Sequence, residues 1–275
     1  MDNIIIAVTS VHIHGLQEAA TYSKMFIQLK ECVMHMGDSQ PKIVITDFEK
    51  AVFKAVEEVF PTVEHKGCRF HLHQAVYRKM GQLGLQSLVL RNPAFQELYN
   101  KIKALSYVPL EEVVSFYLED ILKSAEDLLE SEIDWKEVSD EIEEFLLYMQ
   151  NTWIQRRSGR SPLYAPALWN HYQTILEDGI ETNNMLESFN STWNRLLGKH
   201  PNVWTVTETF VSTEADTRRC FMANTTGSDL TSNSGRKEAS REFKSKIKLI
   251  VSNFSSTPRG DYLSMLAHQL SKPHK

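Results

Sequence analysis

The chain has 275 residues, 42% of them apolar, with five Trp, nine Tyr, thirteen Phe and a net charge of -5. That length and apolar content support a folded globular protein, one large domain or two small ones, with a sizeable core. Three widely spaced cysteines, Cys32, Cys68 and Cys220, exclude a disulfide framework and point to a reducing compartment, nucleus or cytoplasm, rather than secretion.

No run approaches the roughly 20 apolar residues of a membrane-spanning helix. The first residues lack the basic segment and long apolar run of a secretion signal. A soluble protein with no membrane partner is expected. The charge is uneven. Residues 111–150 hold fourteen acids against Lys123 and Lys136, a local balance of -12, so the remainder carries about +7. A mildly basic body fits contact with DNA on one face only, while the acidic stretch reads most simply as a solvated helix face.

In chain order, the apolar run at residues 4–8 predicts a strand, and residues 17–35 a helix with Ala20, Met25, Phe26, Leu29 and Val33 along one side. The run Pro41-Lys-Ile-Val-Ile-Thr-Asp47 predicts a short buried strand that delivers an acid to its C-terminal tip. Residues 48–60 predict the most regular helix, with apolar positions three and four apart. Thr46 and Glu49 have capping-box spacing at its start, and Pro61 stops it. A short strand at 63–65 then leads into a helix opened by Cys68-Arg-Phe-His71.

From residue 72 to 153 the pattern is helical almost throughout. Pro93 and Pro109 mark helix starts, and Asn92 is a candidate cap. Thr182-Asn-Asn-Met-Leu-Glu187-Ser-Phe-Asn190 predicts a capped helix with its acid one turn inside, and a further helix follows at 204–221. Residues 223–242 read as a linker, 243–275 as a short basic segment, and 271–275 as a disordered tail. Trp153, Trp169, Trp193 and Trp204 fit core packing better than base stacking.

Asp47 and Glu187 are the acids that carry chemistry in this reading. A site that uses two metal ions must stabilise an attacking and a leaving oxygen about 4 Å apart. Magnesium takes oxygen ligands and keeps several waters, so two or three carboxylates suffice. A strand tip and a nearby helix are rigid places for them. His65, Cys68, His71 and His73 also have zinc-ligand chemistry, but no second ligand pair lies a loop length away.

Five segments in this order resemble the catalytic domain of Mutator-like element (MULE) transposases. They are Thr46-Asp47-Phe48-Glu49-Lys50-Ala51, Gly67-Cys68-Arg-Phe-His71-Leu-His73-Gln74, Trp169-Asn-His-Tyr172, Thr182-Asn-Asn-Met-Leu-Glu187 and His200-Pro-Asn-Val-Trp204. The resemblance implies an RNase H-like fold, DNA cleavage and joining in transposition, DNA as partner and the nucleus as location. It makes Asp47 the second catalytic acid and Glu187 the third, both ligands of Mg2+ or Mn2+, with Cys68 and His71 as a supporting motif. The family's first Asp ends a strand upstream of the one that residues 4–8 resemble. Asp2 precedes an apolar run instead of ending one, so it is not that residue.

The expected architecture is therefore α/β: a partial RNase H-like core, a mixed sheet lacking its first strands, with a large all-α insertion. The MULE-like domain spans 1–222, with the insertion at about 72–178. The expected protein is transposase-derived, N-terminally truncated and catalytically incomplete. The alternatives are a non-catalytic DNA- or protein-binding module, and an active nuclease whose first Asp lies in upstream sequence or a partner chain. If the central strands are missing, the strands at 4–8 and 43–45 should pair directly, self-associate through an open sheet edge, or be marginally stable.

Overall fold

Strand β1 (Ile5–Ala7), helix α1 (Ala19–His35), strand β2 (Ile43–Thr46), helix α2 (Lys50–Val59) and strand β3 (Glu64–Gly67) build a small α/β layer in the computed structural model. The structure describes residues 5–7, 18–35, 41–131, 138–156, 160–182, 184–198, 201–225 and 234–271. The three strands form one parallel sheet in the order β1-β2-β3. Ile5 lies opposite Ile43, and Thr46 opposite Gly67. Among the described residues the sheet is parallel rather than mixed, because each pair of strands is joined by a helical crossover. The outer strand at 4–8 and the Asp47 strand pair directly, one of the three outcomes expected above.

As the middle strand, β2 is buried from Val44 onward: Val44 and Ile45 are fully covered, as a strand with helices over a parallel sheet requires. Val44 joins Tyr22, Phe26, Val52, Val56 and Phe60 in a cluster that seats α1 and α2 against the sheet. Polar contacts fix the same interface. Ser23 donates to Glu58 (2.7 Å), and Lys30 donates to the Val59 carbonyl (2.9 Å) while lying over the Phe60 ring. The expected Thr46–Glu49 capping box is not formed: α2 starts at Lys50 with Glu49 as an N-cap that makes no side-chain capping bond and instead accepts the Tyr22 hydroxyl (3.1 Å).

Helix α3 (Arg69–Gln82) leads into an all-helical block: α4 (Gln86–Arg91), α5 (Pro93–Ala104), α6 (Val113–Phe116), α7 (Leu122–Ser131), α8 (Ser139–Met149), α9 (Pro166–Trp169) and α10 (Tyr172–Leu176). Asn92 caps α5 as expected, accepting from the Ala94 and Phe95 amides with Pro93 in the first turn. An aromatic knot ties this block to the sheet. The Phe48 ring meets Trp153 edge-on at 4.9 Å and Tyr164 at 5.2 Å, and Trp153 stacks on Tyr164.

Helices α11 (Asn184–Leu197), α12 (Val203–Thr225), α13 (Ser234–Ser252) and α14 (Arg259–Ser271) complete the chain. Two compact units result. The first is Met1–Asn183 with Phe243–Pro273, and the second is Asn184–Glu242 with the last two residues. The supposed linker is helical at both ends: 223–225 end α12, and α13 begins at Ser234. The supposed basic appendage is core. Ile247, Val251, Tyr262, Leu263 and Leu266 are buried with the helical block, and α14 packs along α5. Arg259 seals that contact, lying over Phe116 and donating to Asp120 (2.7 Å) and Ser115 (3.1 Å). Thus some of the acids at 111–150 answer a cation brought in by α14. The expected tail beyond residue 271 lies outside the described residues.

In the second unit Trp193 meets Phe210 at 4.3 Å, while Trp204 is 79% exposed. Core packing holds for Trp153 and Trp169 and fails for Trp204. No helix among the described residues is long and apolar enough to cross a membrane.

Candidate functional site

The C-terminal end of β2 carries the site. In parallel α/β sheets, side chains at the carboxyl ends of strands project into the loops before the next helices, where ligands gather. Thr46 is fully buried and Asp47 is 8% exposed. The Thr46 hydroxyl donates to the Asp47 carbonyl (3.0 Å), and so accepts the Nε2–H of His65 on the adjacent strand (2.7 Å). This relay explains why Thr46 caps no helix. Burial lowers the His65 pKa to about 4, so the ring stays neutral and keeps its Nε2 proton for Thr46.

β3 runs straight into α3. The Cys68 amide donates to the Thr46 carbonyl (2.8 Å), extending the ladder by one bond, and Cys68 is the buried N-cap of the helix. Its thiol side is packed inside and makes no capping bond. His71 then lies in the first turn of α3, with Nδ1 3.1 Å from Asp47 Oδ1. The Cys-x-x-His spacing therefore does two jobs: Cys68 joins strand to helix, and His71 reaches back one turn to the strand-tip acid.

Several residues that the sequence did not single out build the surroundings. His171 is wholly buried, and its Nε2 contacts the Gly67 carbonyl at 3.1 Å. Burial first, then the Arg69 and Lys66 charges, hold its pKa down to about 3. Lys103 is pushed down to about 8 by burial and by Arg69. Arg69 pairs with Glu181 (Nε to Oε2, 3.0 Å), in ion-pair range though off the line of a linear hydrogen bond. Burial alone would lower the Arg69 pKa, but Tyr107 and Glu181 outweigh it and raise it. Tyr107 donates its hydroxyl to the same Glu181 oxygen. Gly67 shows why this corner tolerates no side chain: a Cβ there would stand 2.4 Å from two atoms of the Phe48 ring.

Of the predicted site residues, the structure brings Asp47, Cys68 and His71 together. Glu187 lies on α11 in the second unit, and its side chain is outside the described residues. Asp2 is outside them too. Among the described residues no group of three or more His, Cys, Asp or Glu could hold a metal ion.

Residues 13–75 match the family model of the MULE transposase domain. The match supports a MULE-family, transposase-derived origin. The matched stretch holds α1, β2, α2, β3 and the start of α3, and so includes Asp47, Cys68 and His71. No curated protein and no solved structure matches the chain. The family match thus covers the strand-tip acid and its histidine. Glu187 rests on the motif resemblance alone.

Proposed function

We propose that this is a DNA-contacting, RNase H-like domain of MULE type, acting in the nucleus, in which Asp47 and Glu187 are the second and third acids of a divalent-metal site. We further propose that residues 1–275 alone carry too few acids there to cut or join DNA. The observation that carries the reading is Asp47: a nearly buried carboxylate at a parallel strand tip, with a histidine of the next helix 3.1 Å away. An unneeded carboxylate is costly to bury, and a fold keeps one where its charge has work to do.

Mg2+ or Mn2+ bound there would activate the attacking oxygen and steady the leaving one. The described residues by themselves do not form such a site, since Asp47 is the one proposed ligand whose side chain they include. What they do is hold the acid. His71 Nδ1 stands 3.1 Å from the carboxylate, Thr46 and His65 lock the backbone behind it, and the Phe48 aromatic knot fixes the residue after it.

The test is a supercoiled-plasmid nicking assay with the purified 275-residue chain in Mg2+ and in Mn2+. The expected result is DNA binding without nicking. Divalent-dependent nicking that disappears in both Asp47→Ala and Glu187→Ala would overturn the incompleteness and establish an active nuclease.

A further inference from the structure

Helix α12, in the second compact unit, is built from weak helix formers. Nine of its 23 residues are Val or Thr, whose branched Cβ loses rotamer freedom in a helical turn. Thr207, Thr209, Thr213 and Thr217 each turn the hydroxyl back onto the carbonyl four residues earlier (2.7–2.9 Å), which satisfies it within the helix. Such a helix is held by tertiary packing more than by propensity. Packing within the unit covers one side only. Thr205, Val206, Thr209 and Thr213 are half-buried on that side, and Phe210 beside them meets Trp193 of α11 at 4.3 Å. None of the described side chains of α12 is fully buried.

The opposite side is exposed. Trp204 (79%), Val211 (64%) and Met222 (61%) lie there with Ala215, because at about 3.6 residues per turn these positions stand roughly half a turn from Thr213. Glu208 and Arg218 flank them, also exposed. Positions 204, 208, 211, 215, 218 and 222 are four, three, four, three and four apart, a spacing that reads the same in both directions. Laid antiparallel on a second copy, the stripe sets Trp204 on Met222, Glu208 on Arg218 and Val211 on Ala215, each contact occurring twice about a two-fold axis. Aromatic ring meets thioether, acid meets base and large meets small. A parallel pairing would set Glu208 on Glu208 and Arg218 on Arg218. Glu214 already takes Nε and Nη2 of Arg218, but a guanidinium has donors for a second acid. From Trp204 to Met222 the stripe is about 27 Å long and about 10 Å wide. Covered on both copies it buries less than about 1,200 Å², the range of weak, reversible association.

We propose that the exposed side of α12 is a homodimer interface, on which α12 of a second copy of this chain docks antiparallel, the two helices crossing at the level of residue 213, midway between 204 and 222. The interface stands apart from the metal-site reading and from the open sheet edge. It gives a task to the apolar side chains that α12 displays away from α11, and to the charges set between them.

The test is sedimentation equilibrium of the full 275-residue chain, without DNA or metal and under reducing conditions that keep the exposed Cys32 from cross-linking. Reversible dimers with a dissociation constant on the order of 10 µM are expected, read over about 2–200 µM protein. Val211→Asp and Glu208→Arg should each weaken association at least about tenfold, since the two-fold axis counts every substitution twice. Both positions are exposed, and circular dichroism checks that the helix content is kept. Glu208→Arg combined with Arg218→Glu restores opposite charges across the axis and should return the dissociation constant to within about threefold of the parent. A parent that stays monomeric over the whole range, as it would if another part of the chain or a different molecule covered the stripe, overturns the proposal. So does a dimer untouched by both single variants, the result expected of association through the sheet edge. A double variant no tighter than Glu208→Arg overturns the antiparallel register.

Discussion

Gly67→Ala should destabilise the protein by about 2–3 kcal/mol, although alanine is the smallest addition and the strand geometry permits it. The new Cβ would stand 2.4 Å from both Cε1 and Cζ of Phe48, where ordinary carbon contacts need about 3.5–4 Å. The ring must therefore retreat by more than 1 Å, on the order of that deficit. It has no room to do so, with Trp153, Tyr164 and Phe53 edge-on around it at 4.9, 5.2 and 6.3 Å. Strand β3 cannot yield instead, because the Cys68 amide and the Gly67 carbonyl are tied to Thr46 and His171. Overpacking of this kind costs typically about 1–3 kcal/mol, and two simultaneous contacts put it at the upper end. Urea denaturation of wild type, Gly67→Ala, Phe48→Leu and the double variant would measure it as a cycle. Phe48→Leu vacates the contested space, so the double variant should be no less stable than Phe48→Leu alone, with a coupling of about 2 kcal/mol. Gly67→Ala within about 0.5 kcal/mol of wild type, or strictly additive costs, would refute the packing argument.

Stability should fall on acidification. His65 and His171 are neutral when folded, with pKa values held down to about 4 and about 3, against 6.5 when unfolded. The unfolded chain therefore binds more protons below pH 6.5. The full stability is present above 6.5 and is lost progressively from 6.5 towards 4, by roughly 3 kcal/mol at most for His65 alone. Denaturation midpoints at pH 7.5 and 4.5 measure the difference, and His65→Gln should flatten the slope. Leu266→Ala on α14 should cost about 2–5 kcal/mol, because Leu266 is wholly buried against the helical block; a cost near zero would return residues 243–271 to the status of an appendage.

The readable parts of this chain were those whose causes are local. The apolar run ending at Asp47 has to be a buried strand. The three-and-four spacing that follows has to be a helix, and Asn92-Pro93 has to be a helix start; all three are where the sequence places them. The join of Cys68 to α3 was legible for the same reason. The misreadings share a different cause. Thr46 has capping spacing, but a hydroxyl takes the better partner, and His65 on a neighbouring strand outbids a backbone amide. Residues 243–271 look basic and solvated because their lysines and arginines lie between the apolar positions that are buried, Ile247, Val251, Tyr262 and Leu266. Glu181 carries no local signal at all: its partners Arg69 and Tyr107 come from other elements of the fold.

The direct test of the central claim is Mn2+ binding, followed by electron paramagnetic resonance, in wild type, Asp47→Asn, Glu187→Gln and the double variant. If the two acids share one site, wild type binds Mn2+ weakly at a single site. Each single substitution then lowers the affinity severalfold, about 1 kcal/mol or more, and the double variant is hardly weaker than either, since both acids serve one ion. Binding untouched by either substitution, or losses that add as if Asp47 and Glu187 held separate ions, would contradict the account.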